Sequence, residues 1–377
     1  MKVVLTANTS WYLHNFRGGL IRRMVADGVR VVCLSPRDEF VPRLEESGAT
    51  WRHWEVNRRG RGPVSEWAAM NAIGEVYAQE RPDVVHHFTI KPVLYGTRVA
   101  RRLGVSRIVN NVTGLGHMFI SRKLSNRAVR PAIRRWLVKS LTGPDVRAVF
   151  QSRQDYEEVS AGSEELQRRA VVVPGSGVDT ERVRPSGRAR AEGEPLRAVF
   201  IGRLIEEKGV RELAAAAEEL KAGGFNGEIV VCGTADPGNP SSIDAARLER
   251  WKAAGAMTFA GHVDDIPSLL GESDAVVLPS YREGTSRVLL EAAAAGLPAV
   301  ASNVPGCRDV VVDGQTGLLV PVRQSTPIAA ALRRLAGDAA EAAAMGRAAR
   351  KKAVAEFEES RVIDTLRSLQ NGEEPAV

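Results

Sequence analysis

The chain has 377 residues, with 52 basic and 45 acidic side chains and a formal net charge of +7. Its apolar fraction of 44% and charged fraction of 26% are those of a soluble globular protein, which excludes disordered and collagen-like classes. The length fits two domains, and no apolar run reaches the roughly 18 residues of a membrane span.

The start, MKVVLTAN, has one lysine and then a short strand-like run, without the long apolar core of a signal peptide. Cys33, Cys232 and Cys307 are widely spaced and form no disulfide or metal pattern. A reducing cytoplasm is the expected compartment.

β-Branched runs then alternate with helical patterns. Strands are predicted at 2–8, 29–35, 51–56, 83–88, 107–112, 147–152 and 170–175, with helices at 16–27, 64–80 and 92–103 among them. Such alternation predicts βαβ units and a parallel sheet with helices on both faces. The segment 117–141 is basic and carries Trp136 among aliphatic residues, a composition suited to an anionic membrane surface. Pro131 is expected to break it into two short pieces.

RVRPSGRARAEGEP (182–195) reads as a linker. The pattern restarts with strands at 196–202, 228–233, 257–261, 274–280, 298–302 and 317–321. Helices are expected at 208–222, 243–254, 285–295 and 326–336, and a last long one over 338–369. The fold class is therefore α/β, with two Rossmann-like domains in tandem. Ligands of open parallel sheets bind at the carboxyl ends of strands, so the cleft between two such sheets is the expected active site.

Two segments carry chemistry. In SYREGTSRVLLEAAAAGLPAVAS (280–302), Glu283 and Gly284 precede Thr285 and Ser286, both candidate N-caps of a helix. A helix N-terminus suits a phosphate. Glu283 and Glu291 lie too far apart, about 12 Å along an ideal helix, to be a glycosidase carboxylate pair. They are expected to hold different parts of one elongated ligand. In FIGRLIEEKGV (200–210), Gly202 ends a strand, and Arg203 and Lys208 can neutralise a diphosphate. Either segment alone also reads as an ordinary solvated turn or capped helix.

GRLIEEKG followed by EGTSRVLLE resembles the retaining glycosyltransferases of family 4. GHVDDIPSLLGESDAVVLPS (261–280) and VVPGSGVDTERVRP (172–185) are similar to the same family, and the resemblance covers nearly the whole chain. It implies the glycosyltransferase B fold, two facing Rossmann-like domains with parallel sheets. The implied division is an acceptor domain over 1–185, a nucleotide-sugar domain over 186–355, and a helix at 356–377 crossing back to the first.

By the same resemblance, Arg203 and Lys208 bind the donor diphosphate, Glu283 contacts the transferred sugar and Glu291 holds the ribose. Backbone N–H groups near Gly284, Thr285 and Ser286 support the phosphates, and His262 and Val263 lie by the base. No metal or cofactor is required; the donor is a UDP-sugar.

SWYLHNFR (10–17), HHFTIKPVLYG (86–96) and NNVTGLGHMF (110–119) resemble a subgroup that elongates lipid-diphosphate-linked oligosaccharides, including hexosaminyl transferases. That resemblance adds His14, Asn15, Thr113 and His117 as site candidates. The Gly-Gly loop of many members is not matched, because Gly18 and Gly19 fall within the predicted first helix.

The implied function is transfer of a sugar, an N-acetylhexosamine in that subgroup, to a hydroxyl of a polyprenyl-diphosphate-linked saccharide in polysaccharide assembly. The expected location is the cytoplasmic face of the cell membrane, held peripherally. Two alternatives stay open at this point: a sugar-nucleotide epimerase of the same fold, and a basic nucleic-acid-binding protein. A dehydrogenase is the weaker reading, because neither domain start shows a strand–GxGxxG–helix fingerprint with a following acid.

Overall fold

Apolar runs buried on both faces make parallel strands, and with more exposed strands at the edges they build two sheets among the described residues. A computed structural model describes residues 1–56, 62–115 and 124–374. It divides into two units, one of 1–176 with 360–377 and one of 177–359.

The first unit holds a seven-stranded sheet in the order β3-β2-β1-β4-β5-β6-β7. Its strands are β1 (Lys2–Thr6), β2 (Arg30–Ser35), β3 (Thr50–His53), β4 (Val84–Phe88), β5 (Arg107–Val112), β6 (Val146–Phe150) and β7 (Val171–Val172), all parallel. The order reverses between β1 and β4, the switch point where α/β sheets bind ligands.

The first helix, α1, runs from Ser10 to Ala26, six residues earlier than the apolar periodicity indicates. Thr9 sets its start, accepting a hydrogen bond from the Tyr12 amide as N-cap. Gly18 and Gly19 therefore lie inside a helix.

The basic segment differs from expectation. Residues 124–141 form one helix with Pro131 inside it. Leu137 and Leu141 are buried in the core on its C-terminal side, and that packing keeps the chain helical despite the proline's lost hydrogen bond. Residues 116–123, with His117, lie outside the described residues.

The second unit holds a six-stranded parallel sheet in the order β10-β9-β8-β11-β12-β13. Its strands are β8 (Leu196–Ile201), β9 (Gly227–Cys232), β10 (Thr258–Gly261), β11 (Ala275–Leu278), β12 (Ala299–Ser302) and β13 (Gly317–Val320). The order reverses between β8 and β11, which pair at Val199 and Val276. Residues 182–195 are irregular, and Arg188 and Arg190 tie them to Asp274 and to the Leu335 and Ala336 carbonyls.

The long C-terminal helix is two helices, Ala339–Glu356 and Glu359–Asn371. Between them the chain extends at Glu358 to pair with Val178, and the Glu359 amide donates to the Val178 carbonyl. Gly177 has φ +72°, and a Cβ there would strike the Glu359 backbone. The last helix then packs Val362, Leu366 and Leu369 onto the first sheet.

Candidate active site

The loop after β8 begins at Gly202, whose amide bonds the Cys232 carbonyl. Leu204 and Ile205 are buried and anchor it. A single 3-10 turn, Glu206–Lys208, ends at Gly209 in the left-handed region, φ +69°. A helix follows at Val210–Ala222. Gly209 sits against the Pro279 carbonyl, where a Cβ would collide. The Tyr281 amide donates to the Glu207 carbonyl at 2.8 Å. The loops after the two central strands are thus laced backbone to backbone.

That lacing brings two of the expected residues together. Lys208 Nζ donates to Glu283 Oε1 at 2.6 Å, with both side chains mostly buried. Gly306 packs against the Glu283 and Gly284 carbonyls so closely that a Cβ would overlap them. Cys307, buried beside this pair, has its thiol pushed up by burial and then by the Glu283 carboxylate, so it is inert as a nucleophile.

The other expected residues distribute as follows. Ser286 is the N-cap of the helix Arg287–Ala294, but its side chain makes no cap hydrogen bond. The sequence-based expectation of a serine cap is corrected: the hydroxyl is buried and the helix start keeps its amides without that side-chain acceptor. Gly284 is exposed and Thr285 half-buried just before it. Glu291, 6% exposed, is paired with Arg287 at 2.8 Å. Arg203 is well exposed and pairs with Asp236 at 2.7 Å, away from Glu283's own partner Lys208. His262 is exposed, 3.2 Å from Asp264, and Val263 packs against the core.

Sequence reading missed Asp236, Tyr281 and Arg323. Tyr281 donates to Glu212 at 2.7 Å, and Arg323 lies over its ring at 4.6 Å. Burial, then the Glu212 hydrogen bond, pushes the Tyr281 phenol up. None of the three stands in a recognisable motif, so only the folded loops reveal them.

Comparison with known families says what kind of chain carries these loops. Residues 195–338 match the family described as "Glycosyl transferases group 1", and residues 2–142 match "Glycosyl transferase 4-like". Both halves of the chain belong to glycosyltransferase families.

The chain is 31% identical over 283 residues to a glycogen synthase of Mycobacterium tuberculosis, covering 74% of this chain and 66% of that protein's length. It is 23% identical over 356 residues, 90% of each chain, to the N,N'-diacetylbacillosaminyl-diphospho-undecaprenol alpha-1,3-N-acetylgalactosaminyltransferase of Campylobacter jejuni. Its fold is that of sucrose-phosphate synthase from Thermosynechococcus elongatus, with a TM-score of 0.79 at 19% identity over 99% and 98% of the two chains. HepE of Anabaena, solved in complex with UDP, gives 0.78 at 16% identity over 99% and 100%.

In the 4-like half, His14 is half-buried with its ring 5.5 Å from that of Phe40. Asn15 donates to the Trp11 carbonyl within α1. Thr113 is half-buried just beyond β5. His117 falls outside the described residues. Among the described residues no cluster of His, Cys, Asp and Glu has metal-binding geometry, and no helix is long and apolar enough to cross a membrane.

Proposed function

We propose that the protein is a retaining glycosyltransferase that moves a sugar, an N-acetylhexosamine, from a UDP-sugar to a hydroxyl of a polyprenyl-diphosphate-linked saccharide. The observation that carries this reading is the Lys208–Glu283 pair, held on the two loops that leave the central strands of a group 1 glycosyltransferase unit. A cation beside a carboxylate at a sheet's switch point can serve both ends of a sugar diphosphate. Lys208 compensates the charge of the departing diphosphate, with Arg203 from the same loop. Glu283 accepts hydrogen bonds from the hydroxyls of the transferred sugar.

Before donor binds, the two neutralise each other, which avoids a half-buried unpaired charge. On binding, Lys208 turns to phosphate and Glu283 to sugar. Glu291, steadied by Arg287, is assigned to the ribose, and His262 with Val263 to the base. The amides of Gly284, Thr285 and Ser286 face the phosphates. The acceptor hydroxyl attacks the face the diphosphate leaves, and a donor phosphate oxygen takes its proton.

UDP as nucleotide is supported by the UDP named with HepE, and a lipid-linked acceptor by the name of the Campylobacter relative. The acceptor is assigned to the first unit, with Thr113, His117, His14 and Asn15 beside it. Peripheral attachment at the cytoplasmic face of the membrane follows from such an acceptor.

A thermal-shift screen with UDP- and GDP-sugars is the test. A UDP-sugar is expected to raise the melting temperature by mass action. Lys208→Ala and Glu283→Ala are each expected to lower transfer at least ~100-fold with folding intact. Near-wild-type transfer in either variant refutes the site, and epimerisation of UDP-sugar without acceptor refutes the reaction.

A further inference from the structure

SWYLHNFR places an arginine in α1 whose surroundings are unusual. Arg17 is only 2% exposed. Among the described residues its hydrogen bonds run only to the Tyr12 hydroxyl, from Nε at 3.3 Å and Nη2 at 2.9 Å. Its guanidinium lies 4.8 Å from the centre of the Phe88 ring and 5.6 Å from that of Tyr12. Among the described residues no carboxylate pairs with it. The stretches outside the described residues, and the undescribed side chains, include no Asp or Glu, so none of their side chains can supply one.

One further donor stacks on the same ring, and another stands opposite Phe88 in the sheet register. His86 stacks on Phe88 at 4.2 Å and is fully buried. Its tautomer is fixed by a chain of contacts. Arg367 donates to Gln370 Oε1 at 3.0 Å, because arginine has no acceptor. Gln370 Nε2 therefore donates to His86 Nδ1, also at 3.0 Å. The neutral ring then carries its proton on Nε2, and that N–H has no partner among the described residues. Asn111, opposite Phe88 in the sheet register, is fully buried, and among the described residues neither amide atom is paired. Arg17's field also helps, after burial, to hold His86 neutral.

A buried water can satisfy donors, but it cannot offset a buried charge. An unpaired ion in a protein interior is strongly unfavourable. An anion meets both needs, and the arginine fork matches phosphoryl oxygens. The donors lie near the carboxyl edge of the sheet, where Phe88 closes β4 and Arg17's hydrogen-bond partner Tyr12 is half-exposed.

We propose that Arg17, with the His86 and Asn111 donors, forms a phosphoryl-oxyanion site in the first unit. Its natural occupant is either the diphosphate of the acceptor, a source that rests on the function proposed above, or free inorganic phosphate.

The test needs no donor and no transfer. Thermal unfolding of the full chain is followed with sodium pyrophosphate, with sodium phosphate, with a short-chain prenyl diphosphate, and with sodium chloride at equal ionic strength. Pyrophosphate is expected to raise the melting temperature of wild type and of Lys208→Ala, and chloride is not. Arg17→Met is expected to lose the shift, while Arg17→Lys keeps it at higher concentration. Half-saturation by the prenyl diphosphate at tenfold lower concentration than by pyrophosphate assigns the acceptor as source; equal half-saturation, with sodium phosphate giving the same shift, assigns free phosphate. Should Arg17→Met not fold, Tyr12→Phe with phosphorus NMR of bound pyrophosphate takes its place, with weakened binding expected. An equal chloride shift, no shift in wild type, or an undiminished response in the Arg17→Met or Tyr12→Phe variant overturns the site. Loss of glycosyl transfer in other variants leaves this measurement untouched.

Discussion

Gly209 shows how one residue can set the site. Its φ of +69° lies in the region that costs any side chain about 1 kcal/mol. The Pro279 carbonyl occupies the place a Cβ would take. Gly209→Ala is therefore expected to destabilise by about 2 kcal/mol, within the usual upper range for such sites. The larger effect falls on activity, because the shift moves Lys208 away from Glu283, its partner at 2.6 Å. Urea unfolding and kcat/KM measured together check this: transfer falls by more than the stability loss explains. From the sequence, Gly209 reads only as the opening of a helix. Its close partner is 70 positions away, and no local pattern reports a backbone approach at that range. Lys208 and Glu283 are legible because they stand in spaced motifs. Asp236, the partner of Arg203, stands in GTADPGNPSS, a polar loop without signature.

At the scale of the element, β4 shows why paired histidines are hard to read. His86 and His87 point to opposite faces of one strand. His87 enters a buried chain: Thr6 hydroxyl and Tyr77 hydroxyl at 3.0 Å, Tyr77 and His87 Nε2 at 2.8 Å, His87 Nδ1 and Asn110 Oδ1 at 2.7 Å. Asn110 continues it to Thr97 and to the Ser140 carbonyl. A Cβ on Gly96 would overlap the His87 ring, so only glycine fits there.

Burial lowers the His87 pKa from 6.5 to about 4, although the Asn110 hydrogen bond works the other way. The unfolded chain thus takes up a proton below pH 6.5 that the folded chain refuses until about pH 4. Stability from His87 is complete above pH 6.5 and is lost as pH falls towards 4, on the order of 3 kcal/mol in all. His86, also held low by burial, adds to the loss in the same direction. Urea midpoints from pH 8 to pH 5 are expected to fall on the acid side, with His87→Gln flattening part of the slope. A level profile contradicts the assignment. The central strands are legible as apolar runs, because each is buried on both faces; the exposed edge strands Thr50–His53 and Thr258–Gly261 show only short runs with β-branched and aromatic residues. The starts of helices are less so: α1 begins at a cap, Thr9, ahead of an aromatic pair that carries no helical period.

For the whole molecule, the net charge of +7 divides unevenly, with +14 over residues 1–190 and −7 over 191–377. Part of that excess is spent inside the first unit. Arg134 donates to the Glu158 and Val159 carbonyls at the end of a helix, and Arg101 pairs with Asp145 and bonds the Lys139 carbonyl. Arg107 donates to the Gln370 carbonyl on the returning helix at 2.5 Å. That helix, Glu359–Asn371, is far in sequence from the unit it completes, and its Ala-rich predecessor hides the break between them. Its removal makes a sharp test of how the chain is divided.

Ending the chain at Glu358 uncovers the surface that Val362, Leu366 and Leu369 bury, at roughly 1.5–3 kcal/mol each. It also takes away the Gln370 contact of His86. A loss of more than about 4 kcal/mol is a large share of the stability of one domain. The second unit keeps its sheet, the Val178 amide's hydrogen bond to the Phe357 carbonyl and the Lys208–Glu283 pair, and loses the Glu359 amide's bond to Val178. Hydrogen exchange of the truncated chain is expected to speed up across β1, β4 and β5, while the strands of the second unit keep their protection and a UDP-sugar still slows exchange in the loops after β8 and β11. Equal loss of protection in both units would mean that the returning helix supports the whole chain, and the stability of the two units would then have to be treated as one.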